Sequence, residues 1–314
     1  MGNKLVSIII LSYKNLNYLK ETIDSTLDQD YKNIQLIIGD DGSPDFDCDE
    51  YENYINLNKK DNIKDIIVYK NTPNIGTVRN LNKAIKMSDG EYIKWMAADD
   101  TFYDNNVISR MIDFAEEKNS MLVATNIQTC DYKMREVKGS IENIEKNREL
   151  FKNQNNCQHI LRKLVKKNLI DAPGILYTKK LFDKLGLFDE DYILLEDWPM
   201  WIKIYRHGCK IDYLDIISVK YRGDVGITKC GTPNPILSKD IIKCIEKEIL
   251  PYKHDIGYWL HKNINYQFIR EHKFNNYTQR QKTNFLIKNL DILIYNQLNK
   301  LNYKVKGKLS YENC

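Results

Sequence analysis

Short apolar runs alternate with longer amphipathic segments through the first half of the chain. The apolar runs have the length of strands and predict five β-strands, at residues 6–11, 34–39, 65–69, 91–96 and 121–126. Residues 16–27 repeat leucine and isoleucine at helical spacing, and further helices are predicted at 49–58, at 77–87 and up to residue 118. This alternation of strand and helix predicts an α/β fold with a mostly parallel, doubly wound sheet flanked by helices.

The second half of the chain has a weaker pattern. Residues 133–156 are charged and lack periodicity, which predicts a loop or a mobile helix. Helices are then predicted near 159–167, 178–185 and 197–207, and strands near 211–213 and 216–221. A cluster of glycine and proline at 231–235 predicts a domain boundary, which gives a catalytic domain at 1–230 and a helical C-terminal region at 231–314.

Charge is distributed unevenly over the two predicted regions. Residues 236–314 contain 14 Lys and Arg against 7 Asp and Glu, a net charge of +7, whereas the whole chain carries +4 and the remainder therefore −3. A basic C-terminal region indicates an anionic partner, and the headgroups at the inner face of a membrane are the leading candidate. No nucleic-acid partner is expected.

Cysteine usage and hydropathy indicate a cytoplasmic protein. The seven cysteines are odd in number and form no Cys-x-x-Cys pair, so we expect reduced thiols rather than a disulfide framework or a zinc site. The apolar run at 6–11 is too short to span a bilayer and lacks the features of a secretion signal. Contact with the membrane would therefore be peripheral.

Acidic pairs follow two of the predicted strands. Asp40 and Asp41 come directly after one buried strand, and Asp99 and Asp100 follow another. Ligands of open α/β sheets bind beyond the carboxyl ends of the strands, and carboxylates there can hold Mg²⁺ or Mn²⁺ against the phosphates of a nucleotide. The alternative is purely structural, because Asp and Gly also form turns and begin helices.

Two further segments carry residues suited to chemistry. Glu196 and Asp197 open a predicted helix, and a carboxylate at this place can deprotonate an attacking hydroxyl group. The alternative is a helix cap, with Pro199 in the first turn. Arg79 lies at the start of another helix, where a cation and the helix dipole favour phosphate, although a solvated surface arginine is equally compatible with the sequence.

Four segments together resemble glycosyltransferase family 2 of the GT-A fold, over about residues 5–228. They read VSIIILSYKN, LIIGDDGSPD, NTPNIGTVRNLNKAIKMSDGEYIKWMAADD and LGLFDEDYILLEDWPMWIKIYRHG. Their order and spacing are more specific than any one of them. The resemblance implies a GT-A catalytic domain and a metal-dependent enzyme that inverts the anomeric centre of the transferred sugar.

The resemblance also implies roles for individual residues in binding a nucleotide sugar. Ser12 and Tyr13 follow the first strand, where the family contacts the base. Asp40 and Asp41 match the acidic pair that binds base and ribose. The remaining matches are an arginine near the nucleotide and a loop that lines the sugar or acceptor site, which correspond to Arg79, Pro173 and Gly174.

The expected metal site departs from the usual family pattern. Asp99 matches the metal-binding aspartate, with Asp100 beside it, but Ala97 stands where the family often has a further carboxylate. The family also commonly has a histidine after the last strand. Here Asp224 is the candidate substitute as a metal ligand, and Arg222 is a candidate to hold the diphosphate.

The resulting expectation is transfer of a sugar from a UDP-sugar to a hydroxyl of a glycan or lipid-linked glycan, with Mn²⁺ or Mg²⁺. By the same resemblance Glu196 and Asp197 are the catalytic carboxylates, and Asp197 is favoured as the base. The resemblance suggests capsule, exopolysaccharide or lipopolysaccharide assembly. A sugar-phosphate nucleotidyltransferase is disfavoured because residues 11–16 lack glycine. A noncatalytic nucleotide- or glycan-binding protein remains the other alternative.

Overall fold

The computed structural model describes residues 4–137, 140–153, 155–223 and 234–297. The chain divides into two compact units, Met1–Ile245 and Glu246–Cys314. The helix that directly follows the Gly- and Pro-rich cluster at 231–235 therefore belongs to the first unit.

The first unit is built around one mixed sheet. In chain order its strands within the described residues are β1 Val6–Ser12, β2 Ile34–Asp40, β3 Ile63–Lys70, β4 Tyr92–Ala97, β5 Thr101–Phe102, β6 Leu122–Cys130, β7 Ile175–Thr178 and β8 Asp212–Arg222. Their spatial order is β3-β2-β1-β4-β7-β6-β8-β5. Strands β3, β2, β1 and β4 run parallel, as predicted, whereas β7 runs antiparallel to both of its neighbours, β4 and β6.

The parallel register brings the strand ends to one edge of the sheet. Ser12 pairs with Asp40 across β1 and β2, and Leu11 pairs with Ala97 across β1 and β4. The residues that follow these strands therefore leave the sheet side by side. This edge is where ligands bind in open α/β sheets.

Helices cover the sheet on both sides. In the first unit they are α1 Leu16–Leu27, α2 Cys48–Asn58, α3 Thr77–Met87, α4 Val107–Lys118, α5 Ser140–Phe151, α6 Cys157–Leu164, α7 Lys179–Leu185, α8 Asp197–Arg206 and α9 Pro235–Cys244. Alternate residues of β1, Ile8 and Ile10, belong to the same buried cluster as Leu19 and Ile23 of α1. Burial of such side chains supplies about 1.5–3 kcal/mol each and fixes the strand ends in place.

The second unit contains α10 Lys253–Ile256, α11 Tyr258–His272 and α12 Gln279–Lys288. The Tyr266 and Phe285 rings stack with centroids 5.3 Å apart, and Lys262 pairs with Asp291 at 2.6 Å. These contacts join α11 to α12 and the residues after it. No helix in the described part of the chain is long and apolar enough to cross a membrane.

The order of elements confirms the predicted fold class, with differences in detail. Strand β7 was not predicted because its four residues lie between a turn and a helix. Residues 140–151, predicted as a loop or mobile helix, form helix α5, and the two strands predicted near 211–221 are one strand, β8, paired irregularly with β6.

Candidate functional site

Asp40 is buried and shapes the loop after β2. One of its carboxylate oxygens accepts hydrogen bonds from the backbone N–H groups of Gly42 and Ser43 at 2.9 and 2.7 Å, and the other accepts from the Ser43 hydroxyl at 2.6 Å. The Ser43 hydroxyl accepts in turn from the backbone N–H of Lys14 at 2.8 Å. Asp40 therefore ties the loop after β2 to the loop after β1.

Asp41 performs a similar task for a different loop. Its carboxylate accepts hydrogen bonds from the backbone N–H groups of Ile75 and Gly76 at 2.9 and 2.8 Å and from the Asn71 side chain at 3.1 Å. The segment that precedes α3 is therefore held by a carboxylate at the end of β2. Contact of Asp40 and Asp41 with base and ribose stays a prediction.

Other predicted donor-site residues surround this edge. Ser12 is buried, and its hydroxyl has no hydrogen-bond partner among the described residues. Tyr13 is 41% exposed, and the ammonium group of Lys14 lies 4.9 Å from its ring centroid. The Arg79 side chain is 59% exposed, so most of its guanidinium faces water. It also forms an ion pair with Glu190 at 3.8 Å.

Asp99 and Asp100 follow β4 and differ in accessibility. Asp99 is 6% exposed, and one of its oxygens accepts from the Asn15 amide at 3.1 Å. Asp100 is fully buried. One of its oxygens accepts from the Arg222 backbone N–H at 3.0 Å, and the other has no partner within the described residues. Burial raises the pKa of Asp99, and burial together with the Asp99 charge raises the pKa of Asp100 well above its ordinary value.

The Arg222 side chain is buried and joins four parts of the chain. Its guanidinium donates to the Asp99 carbonyl at 2.9 Å, to the Glu21 carboxylate at 2.6 Å and to the Tyr132 carbonyl, and it lies 4.1 Å from the Tyr18 ring centroid. Arg222 therefore supports the backbone that carries Asp99. The predicted contact of Arg222 with a diphosphate would use the guanidinium N–H groups that these hydrogen bonds leave unused.

The donor set fits a divalent cation that is held largely by its substrate. Mg²⁺ is usually bound by one or two carboxylates together with substrate phosphates. Asp99 is 6% exposed, and Asp100 adds a buried acceptor without a partner in the described residues. Those residues contain no group of three or more acidic, His or Cys side chains that could hold a metal. Asp224, the other predicted ligand, lies outside the described residues.

Lys94 was not identified from the sequence as a site residue. It lies in β4, is fully buried, and donates from its ammonium group to the carbonyls of Trp95, at 3.2 Å, and Pro173. Burial lowers the pKa of Lys94 to about 7, against the opposing effect of the Asp100 charge. The sequence feature that could have identified Lys94 is a lysine inside an otherwise apolar strand.

The loop at Pro173 and Gly174 packs closely on the sheet. A Cβ atom at Gly174 would lie 2.7 Å from the Thr125 carbonyl oxygen, so glycine permits this approach. The Thr125 hydroxyl also donates to the Gly174 carbonyl at 2.7 Å. The loop is thus fixed against β6 by Thr125 and linked to β4 by Lys94.

Glu196 and Asp197 are adjacent carboxylates at the start of α8. The Asp197 carboxylate accepts from the Asn168 amide at 2.7 Å and from the Trp198 backbone N–H at 2.6 Å. Burial raises the pKa of both groups, and the Asp197 charge raises the pKa of Glu196 further, whereas the two hydrogen bonds oppose the rise at Asp197. Both carboxyl groups therefore hold a proton more tightly than a carboxyl group in water does.

Asp171 completes an acidic cluster with this pair. It is exposed, but protein atoms crowd its carboxyl group, and this desolvation together with the Asp197 charge raises the pKa of Asp171 to about 6. Asp171 lies two residues before Pro173, whose carbonyl accepts from Lys94. Electrostatic influence links Asp100 to Lys94 and Asp171 to Asp197, and the Lys94 ammonium group contacts the loop that carries Asp171. Convergence of Glu196 and Asp197 with the strand-end carboxylates of the first half stays a prediction.

Comparison with known proteins identifies relatives over most of the chain. The family model described as Glycosyl transferase family 2 matches residues 7–184. A protein of Rickettsia bellii named an uncharacterized glycosyltransferase is 30% identical over 274 residues, which cover 83% of this chain and 37% of that protein. The chain thus matches less than half of the length of this relative.

Solved structures share the fold. S. aureus TarS 1-349 in complex with UDP-GlcNAc has a TM-score of 0.59 and 19% identity, covering 90% of this chain and 79% of that one. Mannosyltransferase PcManGT from Pyrobaculum calidifontis, in complex with GDP-Man and Mn²⁺, has a TM-score of 0.56 and 14% identity, covering 96% and 84%. At these identities the likeness shows the fold alone, and it confirms the predicted GT-A architecture.

We expect the stability conferred by Lys94 to depend on pH. The pKa of Lys94 is about 7 in the folded protein and 10.5 in its ordinary state, so the unfolded chain binds more protons between these values. Relative to Lys94→Met, the wild type should gain roughly 2–3 kcal/mol of unfolding free energy between about pH 7 and about pH 9. Urea unfolding at several pH values measures the difference. The exposed Lys152→Met variant is the control, and a pH-independent difference for Lys94→Met would contradict the expectation.

Proposed function

Because the chain belongs to glycosyltransferase family 2, we propose that it transfers a sugar from a UDP-sugar to a hydroxyl of a glycan acceptor and inverts the anomeric centre. The observation that carries the proposal is the presence of two pairs of adjacent carboxylates with raised pKa values, Glu196 and Asp197 at the start of α8 and Asp99 and Asp100 after β4. One carboxylate pair is suited to an acceptor hydroxyl and the other to a diphosphate. The proposal therefore assigns the attacking hydroxyl to Glu196 and Asp197 and the leaving diphosphate to Asp99 and Asp100.

Asp197 is the proposed general base. Its raised pKa brings it closer to neutral pH, where a base both is ionised and accepts a proton readily. As the acceptor oxygen attacks the anomeric carbon, its proton passes to Asp197 and the bond from that carbon to the diphosphate oxygen breaks. Attack from the face opposite the leaving group requires no covalent intermediate.

The donor side is proposed to use the residues around β1 and β2. Tyr13 presents an exposed ring on which uracil can stack, and Ser12 lies beside it. Asp40 and Asp41 hold the loops that frame the base and ribose. Arg79, exposed at the start of α3, is proposed to contact the phosphates. The loop at 173–174 lines the position of the sugar or acceptor.

A divalent cation, Mn²⁺ or Mg²⁺, is proposed to be held by Asp99 together with the diphosphate oxygens, with Asp100 behind it. When bound, the ion offsets the negative charge that develops on the departing diphosphate. Asp224 is a further proposed ligand. Arg222 is proposed to hold the diphosphate. It would use the guanidinium N–H groups that do not donate to Glu21, Tyr132 or Asp99.

The second unit is proposed to contact the inner face of the cytoplasmic membrane, close to a lipid-linked acceptor in capsule, exopolysaccharide or lipopolysaccharide assembly. Trp259 and Tyr258 at the start of α11 are 59% and 50% exposed, and Ile287 on α12 is 59% exposed. Aromatic and aliphatic side chains beside basic residues suit an anionic bilayer surface. The proposed location is therefore cytoplasmic and peripheral.

We expect Asp197→Asn to lower kcat for sugar transfer by about 10²–10⁴-fold, because the amide cannot accept the acceptor proton. UDP release from a panel of UDP-sugars with Mn²⁺ and candidate acceptors measures the rate. Asp183→Asn, an exposed site on α7, is the matched control. Wild-type turnover in Asp197→Asn would remove Asp197 as base.

The same assay separates the alternatives. Chelation of the metal by EDTA should abolish transfer, and added Mn²⁺ should restore it. Binding of UDP without any transfer or donor hydrolysis under any metal would instead indicate a noncatalytic binding protein. Release of pyrophosphate from UTP and a sugar phosphate would indicate a nucleotidyltransferase.

We expect Asn168→Ala to shift the acid limb of the profile of kcat/KM against pH upward by about 1 unit. The Asn168 amide donates to Asp197 and favours its ionised form, so its removal raises the pKa of the base. Less Asp197 is then ionised at a given low pH. Asn156→Ala, which removes the cap of α6, should leave the limb in place. A limb that does not move in Asn168→Ala would show that Asp197 does not titrate there.

We expect the protein to float with vesicles that contain anionic lipid and not with neutral phosphatidylcholine vesicles. Trp259→Ser combined with Ile287→Ser should reduce the bound fraction at least about threefold, because apolar burial contributes to binding. Leu57→Ser, at an 85% exposed site in the first unit, is the matched control. Equal flotation of all variants, or of none including the wild type, would overturn this surface.

A further inference from the structure

A buried carboxylate on α9 holds the loop that leads to the catalytic pair. Asp240 is 2% exposed, and one oxygen of its side chain accepts hydrogen bonds from three consecutive backbone N–H groups. The donors are Ile193 at 2.8 Å, Leu194 at 2.7 Å and Leu195 at 3.3 Å. The next residue along the chain is Glu196.

The loop is fixed from two sides. On the α9 side, Lys243 also donates to the Asp191 carbonyl at 2.5 Å. On the other side, the Val78 backbone N–H donates to the Ile193 carbonyl at 3.2 Å, and a Cβ atom at Gly76 would lie 2.7 Å from the Ile193 side chain. The loop therefore lies between α9 and the start of α3, where Asp41 holds the backbone of Ile75 and Gly76.

An aspartate suits this position for a physical reason. An ionised carboxylate only accepts hydrogen bonds, so a single oxygen can serve several converging N–H groups, and charge strengthens each bond. No β-strand or helix satisfies these three N–H groups, because the loop precedes α8. Without Asp240 the donors would be left without a partner inside the fold.

We propose that Asp240 is a positioning residue for the transfer reaction, acting through the backbone of residues 193–195 on Glu196 and Asp197. The inference rests on the proposed function, and it adds a residue that lies outside the family-matched range 7–184. Displacement of a catalytic group by about 1 Å can lower a rate 10²-fold. The same loop contacts the start of α3. Asp240 therefore also fixes the position of Asp197 relative to the residues proposed to bind the nucleotide sugar.

The test compares variants of the full chain in kinetics and amide hydrogen exchange. Asp240→Ala should lower kcat about 10–100-fold while the KM for the donor changes less than about threefold. Asp240→Asn keeps an acceptor oxygen and should recover most of the lost kcat. Lys239→Ala, exposed on the same helix, is the matched control and should match the wild type. The amides of residues 193–195 should exchange at least about tenfold faster in Asp240→Ala than in the wild type.

The two measurements separate the two proposals. Wild-type kcat in Asp240→Ala, or unchanged exchange at 193–195, would overturn the role of Asp240 alone. A wild type without transfer activity would overturn the proposed function and the positioning role with it, while faster exchange in the variant would still support the contact. If Asp240→Ala does not fold, Lys243→Ala tests the same loop. Its kcat should fall with donor KM retained, and wild-type kcat would count against the proposal.

Discussion

Burial of carboxylates is the constraint on which this molecule depends. A carboxylate removed from water must either find hydrogen-bond donors or hold a proton. Asp40, Asp41 and Asp240 take the first course, since each accepts backbone N–H groups from a loop. At Asp100 and Glu196 burial raises the pKa well above its ordinary value, which favours the protonated form. Carboxylates thus build the loops and also supply groups with raised pKa values.

Much of the fold follows from local pattern. The strands β1, β2 and β4 and the helices between them were predictable because apolar runs and helical repeats are read within a short window. The acidic strand ends were predictable for the same reason, since a parallel sheet places successive strand ends at one edge. The resemblance to a family then linked Asp99 to Asp197 across about a hundred residues, which local pattern cannot do.

The remainder depends on contacts between distant parts of the chain. Nothing near Asn168 or Asp240 in the sequence indicates that one donates to Asp197 and the other accepts from residues 193–195. Lys94 is an unusual residue for a buried strand, but its partner carbonyl at Pro173 is set by the packing of β7 against β4. The sequence likewise could not separate a loop-building aspartate such as Asp41 from a ligand-binding one, because both follow a strand and precede a turn.

The hold of α9 on the loop before Glu196 also bears on how such chains diversify. The family-matched range ends at residue 184, yet part of the scaffold of the site lies some fifty residues later. Exchange of C-terminal regions between related chains, by recombination or by engineering, would leave the described strands in place wherever the junction falls after β8. Only junctions placed after α9 would keep Asp240 together with the loop that it holds, so the C-terminal unit can be exchanged without loss of this contact only beyond that helix.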